Sequence, residues 1–332
     1  MAVQLLHRLA NRARDLLFLP PFDSHWRRRL NGRVLCLLYH RVDHPGRVPF
    51  LDRFGVPPIP PGMLLNELSF LKMQGAHFLT FSDLRHGNFP GRDQFGVIVS
   101  FDDCLRDMYT SATGVLELLG IRGVLFQSTA LIDARSLIWE HSLYWHADDP
   151  VLAQALEALA HERLPASRGL VGDPLVAHLR QAEPMAAVED LLAEATARAG
   201  AGEELALLAR ELYPAAAHLQ GTRGARHEIG SHGHHHYPRQ CLDDEAFEAE
   251  LIRSRQEIER VMGKAPRAFS YPFNSYQSGD AELCSRHYVQ VATVDAQPIT
   301  LDTPRLAIPR FTWPGPLRNQ LHFRRWLWTG HL

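Results

Sequence analysis

The chain has 332 residues, 45% of them hydrophobic and 22% charged, with a formal net charge of -2 at pH 7. This is a globular composition with enough apolar content for one large α/β domain or two ordinary ones, and it excludes a disordered or fibrous chain. The charge balance argues against nucleic acid as the main ligand, because such binding needs a concentrated basic surface.

In chain order, Leu5, Leu6, Leu9, Leu16 and Leu17 line one side of a short helix whose other side carries His7, Arg8, Arg12 and Arg14. Arg12, Arg14 and Asp15 break the apolar run before a secretory core can form, so the reading is no cleaved signal and no spanning helix. Docking on the chain's own domain and peripheral contact with a membrane are both open to this helix. Val34 to Tyr39 reads as a buried strand ending at His40. Pro57, Pro58, Pro60 and Pro61 then oppose regular structure until helical periodicity resumes over 63–73. A second strand is expected at 96–101, a helix over 106–119 and a strand at 124–127.

From about Leu137 to Gly224 the pattern changes to Ala-, Leu- and Glu-rich helices over 151–162, 174–198 and 202–218. Strand-like residues resume at 227–230, so these helices read as an insertion, too regular throughout for a mobile lid. A helix near 245–262 and strands near 268–271, 288–293 and 307–310 follow. The tail carries Trp313, Trp326 and Trp328 with Arg318, Arg324 and Arg325, read as aromatic packing in preference to base stacking. The division is 1–32 amphipathic extension, 33–136 first α/β part, 137–225 helical insertion, 226–312 second α/β part and 313–332 tail. Cys36, Cys104, Cys241 and Cys284 lack the spacing of a zinc knuckle or a disulfide scaffold and read as free thiols in a reducing, cytoplasmic setting.

Two features carry chemistry. Asp102 and Asp103 end the apolar run Val97 to Phe101, and Ser231-His232-Gly233-His234-His235-His236 follows much later. With 19 histidines in 332 residues, about one His-x-x-x-His pair arises by chance, so the pair alone means little. Acidic residues also commonly cap a strand end. Their joint placement at strand ends, where α/β proteins carry their sites, is more telling. One carboxylate and two imidazoles can hold a divalent metal while the second carboxylate acts on water.

Taken in order, Leu38-Tyr39-His40-Arg41-Val42, Ser100-Phe101-Asp102-Asp103, Gly230 to His236, Phe269-Ser270-Tyr271-Pro272-Phe273 and Pro309-Arg310 resemble the polysaccharide deacetylase family. This is the chitooligosaccharide-deacetylase homology domain of carbohydrate esterase family four, and the early Tyr-His is similar to the bacterial poly-N-acetylglucosamine deacetylase subgroup. The resemblance implies a distorted (β/α)7 barrel, here with a helical insertion. It also implies metal ligands Asp103, His232 and His236 for a divalent ion, zinc first, with nickel, cobalt or iron also suitable. Asp102 would be the general base, Arg310 its partner, the backbone N–H of Tyr271 an oxyanion donor and His40 the general acid, since no late Leu-x-His segment follows Arg310. His234 and His235 would support the loop, face substrate or lie exposed, and a shift of register could exchange His234 for a ligand.

The implied reaction is removal of an N-acetyl group from an aminosugar-containing saccharide or glycoconjugate. Removal of a formyl or other linear acyl group, and an inactive glycan-binding protein, are the alternatives. Three positions depart from the family pattern: Cys104 and Asn274 stand where glycine is usual, and Gly233 where a small hydroxyl residue is.

Overall fold

The structure is a computed structural model that describes residues 23–225, 227–315 and 320–329. The proposed N-terminal amphipathic helix, Leu5 to Leu17, lies outside the described residues, as does Arg318 of the tail. The elements in order are α1 (Asp23–Leu30), β1 (Val34–Tyr39), α2 (Pro49–Phe54), α3 (Pro61–Met73), β2 (His77–Leu79), α4 (Phe81–Arg85), β3 (Gly96–Phe101), α5 (Thr113–Leu119) and β4 (Val124–Gln127). The insertion follows as α6 (Trp139–Asp148), α7 (Pro150–Arg163), α8 (Gly172–Gln181), α9 (Met185–Ala199), α10 (Gly202–Leu212) and α11 (Ala216–Ala225). Then come β5 (Glu228–Ser231), α12 (Asp244–Met262), β6 (Ala268–Ser270), α13 (Asp280–Ser285), β7 (Gln290–Ala292), β8 (Phe311–Thr312) and α14 (Gln320–Thr329).

All strand pairs are parallel, in the order β7-β6-β5-β4-β3-β1-β8, with β2 beside the first half of β3. The sheet curls into a distorted barrel. Between β7 and β8 the chain crosses the gap between the sheet's ends, where Ile308 bridges to Ala292 and Ile299 to Val34. The expected strand at 307–310 is corrected accordingly: Ile308 makes a single bridge, and the regular strand is Phe311–Thr312.

Strands in such a sheet are apolar on both faces because helices cover one and the barrel interior the other. Val34, Cys36, Ile98, Val124, Phe126, Ala268 and Ala292 fill the interior. Leu35, Leu37, Val97, Val99 and Leu125 pack outward with Leu64, Leu68 and Leu116. Leu118 of α5 points to solvent, 73% exposed. The helix over 106–119 forms with a π turn at Met108–Ala112.

The two longest expected helices are broken. Helix 174–198 becomes α8 and α9 around Pro184, and 202–218 becomes α10 and α11 around Pro214, because proline has no N–H for the helical ladder and clashes with the preceding turn. The insertion has its own apolar core of Leu156, Leu159, Leu175, Leu179, Leu191 and Leu192, continuous with Phe50 and Leu51 of α2. Phe54 stacks on Tyr144 with centroids 5.7 Å apart. The insertion is therefore fastened to the rim of the barrel. In the tail, Trp313 and Trp326 are buried, and Trp313 Nε1 donates to Glu67 at 3.2 Å.

Candidate active site

Strand period 2 explains which residues reach the barrel mouth. Cys36 faces the interior, and so by alternation does His40, just past the end of β1. Ile98 does likewise for Asp102, and Ala268 for Ser270. Alternation would send Asp103 outward, but its φ of 62° turns the chain left-handed and brings a second carboxylate back to the same mouth.

The histidine run is a tight loop and not a helical turn. Gly233 has φ +76°, a conformation that suits glycine better than the hydroxyl residue usual there. Glu250 of α12 braces the loop: Oε2 accepts from the backbone N–H of His234 (2.9 Å) and His235 (2.8 Å), and Oε1 from His235 Nδ1 (2.7 Å). His234 Nδ1 bonds Thr129 Oγ1 at 2.7 Å. These two histidines are thus occupied in holding the loop, while His232 and His236 converge on Asp103.

Ligand-type atoms of Asp103, His232 and His236 lie within 4.8 Å of one another. His232 Nδ1 donates to the Ser270 carbonyl and His236 Nδ1 to Glu140 Oε2, each at 2.8 Å. With both Nδ1 atoms acting as donors, both Nε2 lone pairs point at Asp103 Oδ1, at 3.4 and 3.1 Å. Three acceptors do not gather at one point without a cation between them. Burial disfavours a charged His236, but Asp103 and Glu140 outweigh it and push its pKa up to about 10, the pull that such a cation would answer. The donor set, with both imidazoles oriented by outer partners, fits a divalent metal. Asp103 is 23% exposed toward the cleft, against 3% and 7% for the histidines, so a three-residue set leaves an open side, as catalytic metal sites do.

Beside this cluster, Arg310 grips Asp102 through both nitrogens, Nη1 to Oδ1 at 2.7 Å and Nη2 to Oδ2 at 2.8 Å. Ser270 Oγ donates to Oδ2 at 3.0 Å. Burial raises the Asp102 pKa, but Arg310 and His232 overcome it, and the net shift is downward. Three of about four lone-pair positions on the carboxylate are used, which leaves one for a water proton. His40 lines the same cleft and makes no hydrogen bond to any described residue. Burial lowers its pKa against the pull of Asp103 and Asp102. Tyr271 turns its phenol away to Cys284 Sγ (3.4 Å), among Phe247 and Phe269, so only its backbone is available to the cleft.

The cleft, about 430 Å³, is walled on one side by Glu140, His141, Tyr144 and Arg180 from the insertion. None of the four stood out in the sequence. Trp139 Nε1 donates to the His235 carbonyl at 3.0 Å, so α6 grips the histidine loop at two successive residues. The Trp-Glu-His run at 139–141, acidic and aromatic within a helical stretch, was the available signal.

Cys104 and Asn274 occupy left-handed positions, φ 56° and 51°, which accounts for glycine being usual at both. Asn274 gains a role glycine lacks, since its Oδ1 accepts from Val294 N at 2.9 Å.

Among solved structures, the chain is similar to a polysaccharide deacetylase of Bacillus cereus (TM-score 0.53, 15% identity, covering 85% of this chain and 65% of that one). It is also similar to a deacetylase of Streptococcus pyogenes in complex with acetate (0.55, 12%, 85% and 93%) and to IcaB of Ammonifex degensii (0.53, 14%, 90% and 98%). At these identities the likeness concerns the fold. No curated protein sequence matches the chain. The family model described as polysaccharide deacetylase matches residues 91–291, more than half of the chain and the stretch that holds Asp102, Asp103, His232 and His236. With a curled parallel barrel, a metal-binding Asp-His-His cluster at its mouth and that match, the chain belongs to the polysaccharide deacetylase family.

Proposed function

We propose that the protein removes an N-acetyl group from an aminosugar-containing saccharide or glycoconjugate, in the manner of the poly-N-acetylglucosamine deacetylase subgroup. The observation that carries this reading is a metal-binding cluster with an ionised, Arg-held carboxylate and an unengaged imidazole in one cleft. A divalent ion, with zinc the first choice for an Asp-His-His set, supplies positive charge that polarises the acyl carbonyl and makes water more acidic.

The chain's own residues do the rest. Asp102 takes the proton of the attacking water on its remaining lone pair, while Arg310 and Ser270 fix its plane. The backbone N–H of Tyr271 donates to the oxygen that becomes negative as the carbonyl carbon turns tetrahedral. His40 gives its proton to the nitrogen as the C–N bond breaks, releasing a free amine and acetate. An imidazole of lowered pKa is a stronger acid when protonated, which suits that transfer.

Free cysteines, three of them buried, support a reducing, cytoplasmic compartment. No helix among the described residues is long and apolar enough to cross a membrane. Contact of the N-terminal segment with a membrane surface is part of the proposal and rests on its sequence pattern.

The test is acetate release from short N-acetylglucosamine oligomers, measured alongside metal content. Asp102→Asn should lose at least about a thousandfold in turnover while retaining metal, and His232→Ala should lose both. Normal turnover in Asp102→Asn would remove the assigned base.

A further inference from the structure

Arg180 has a place in the cleft but no part in the chemistry described so far. It stands on α8, is 24% exposed, and lines the wall opposite the barrel residues. Its guanidinium packs on the faces of Tyr144 and Phe273, 5.4 and 5.1 Å from the ring centroids. It makes no hydrogen bond to any described residue, and its Nε is shut away from solvent without an acceptor. The nearest carboxylate oxygen, Glu140 Oε1, lies 3.6 Å from Nη2, beyond hydrogen-bond length. Glu140 is already committed, with Oε1 accepting from Tyr144 at 2.5 Å and Oε2 from His236.

The other charges in the cleft have partners. Asp102 is matched by Arg310, and Arg41 by Asp52 at 2.6 Å. Arg180 stands 3.6 Å from Glu140, an ion pair without a hydrogen bond, and its planar fork of donors, held flat by two aromatic faces, is suited to bidentate recognition of a carboxylate or phosphate.

We propose that the substrate is an acylated aminosugar that itself carries an anionic group, carboxylate or phosphate, and that Arg180 recognises that group. This rests on the reading of the cleft as an N-deacetylase site and narrows its substrate class. The insertion then contributes selectivity, while the barrel contributes the reaction.

The test compares kcat/KM of the metal-loaded protein on N-acetylglucosamine, N-acetylglucosamine 6-phosphate and N-acetylmuramic acid. The two charged sugars separate phosphate from carboxylate recognition. The expected result is a preference of at least tenfold for one charged sugar over the neutral one, and a fall of about tenfold to a hundredfold in that ratio for Arg180→Gln. Arg180→Lys should restore part of the ratio, since it keeps the charge and loses the fork. A ratio near one in the unaltered protein, or a ratio unmoved by Arg180→Gln, overturns the proposal; in the second case Arg180 merely steadies Glu140.

Binding of the same sugars to Asp102→Asn, measured by calorimetry, keeps this inference distinct from the hydrolase reading. Arg180-dependent binding of a charged sugar without acetate release by the unaltered protein supports the anion site and defeats the N-deacetylase reading. Acetate release without charge preference does the reverse.

Discussion

Glu140 ties the insertion to the metal cluster, and replacing it with glutamine tests whether that tie matters. Glutamine keeps the volume and can still accept from His236 Nδ1 through its amide oxygen, so the charge is what is removed. Two effects of opposite sign follow. The charge-assisted bond at 2.8 Å orients the imidazole and raises its basicity, and losing such an outer partner typically costs about tenfold to a hundredfold in metal affinity, about 1.4 to 2.7 kcal/mol. The same carboxylate holds a proton on His236, whose pKa is pushed up to about 10 by Asp103 and Glu140 against burial. Metal must displace that proton, so below the pKa affinity should rise by about tenfold per pH unit, about a hundredfold from pH 7 to pH 9. Removing the carboxylate lowers the His236 pKa and relieves the competition at the lower pH. Glu140→Gln should therefore show a shallower pH slope throughout, with its affinity relative to the unaltered protein lowest at pH 9 and recovering toward pH 7, where relief of the competition is largest. The assay is titration of apoprotein with zinc against a chelator of known affinity at each pH, with no substrate present. Equal affinity at pH 9 together with an unchanged slope would refute the assigned role of Glu140.

Two further outcomes concern stability. Glu67 is 5% exposed, accepting from Tyr39 Oη at 3.0 Å and Trp313 Nε1 at 3.2 Å, and burial pushes its pKa from an ordinary 4.5 up to about 7. The folded state therefore holds this proton more tightly than the unfolded chain, and stability should fall by about 3 kcal/mol as pH rises from 4.5 through 7. Urea unfolding across that range should show a downward slope in the unaltered protein, to which Asp107 also contributes because burial pushes its pKa up to about 6, and Glu67→Gln should remove the Glu67 share; the same slope in both would exclude Glu67 as a source. Glu250→Ala removes three hydrogen bonds from the histidine loop and leaves two backbone N–H groups without their acceptor, which should cost about 3 to 5 kcal/mol and weaken metal binding. Unfolding and metal titration of one preparation check both, and unchanged metal affinity would show that the loop holds its shape without this brace.

The limits of β1, β3 and β4 were legible because each is an apolar run, buried on both faces, between polar or turn residues. The three-residue β2 was missed: His77 is exposed and Phe78 only partly buried, so no apolar run marks it. Helix α2 hid in a proline-rich stretch whose prolines, apart from Pro49 at its start, lie beyond it. The insertion's helical character was plain in its composition, but its breaks were not, since similar Ala- and Leu-rich sequence continues past Pro184. Asp102, Asp103, His232 and His236 could be nominated from local pattern. Arg310, 208 positions from Asp102, entered only through resemblance to a family. Glu140 and Arg180 were not nominated: apart from the Trp-Glu-His run nothing local marks them, because their partners depend on how the insertion folds back on the rim, and local periodicity does not encode that.

The backbone explains why two adjacent aspartates are needed at all. In a regular strand, successive side chains face opposite sides, so one strand end delivers only every second residue to the barrel mouth. Asp102 arrives by that alternation. Asp103 reaches the same mouth through a left-handed turn, φ 62°, followed by a second at Cys104, φ 56°, and closed by a 2.6 Å bond from Cys104 N to the Asp102 carbonyl. Across the cleft, His236 adopts φ 61° as well. Each such conformation costs a non-glycine residue about 1 to 2 kcal/mol, and it persists where surrounding contacts fix it. Here the Asp103 carbonyl accepts from Ser128 N at 3.3 Å, and His236 is held at Nδ1 by Glu140. Two of the three metal-ligating positions are thus strained, while His232 and the Arg-held Asp102 continue regular strand geometry. The proposed division of labour follows that difference: the residue that alternation delivers keeps a rigid, Arg-held carboxylate with one position open for proton transfer. The residue that the turn delivers stays 23% exposed at the edge of the cleft, where its carboxylate can hold a metal beside a bound substrate.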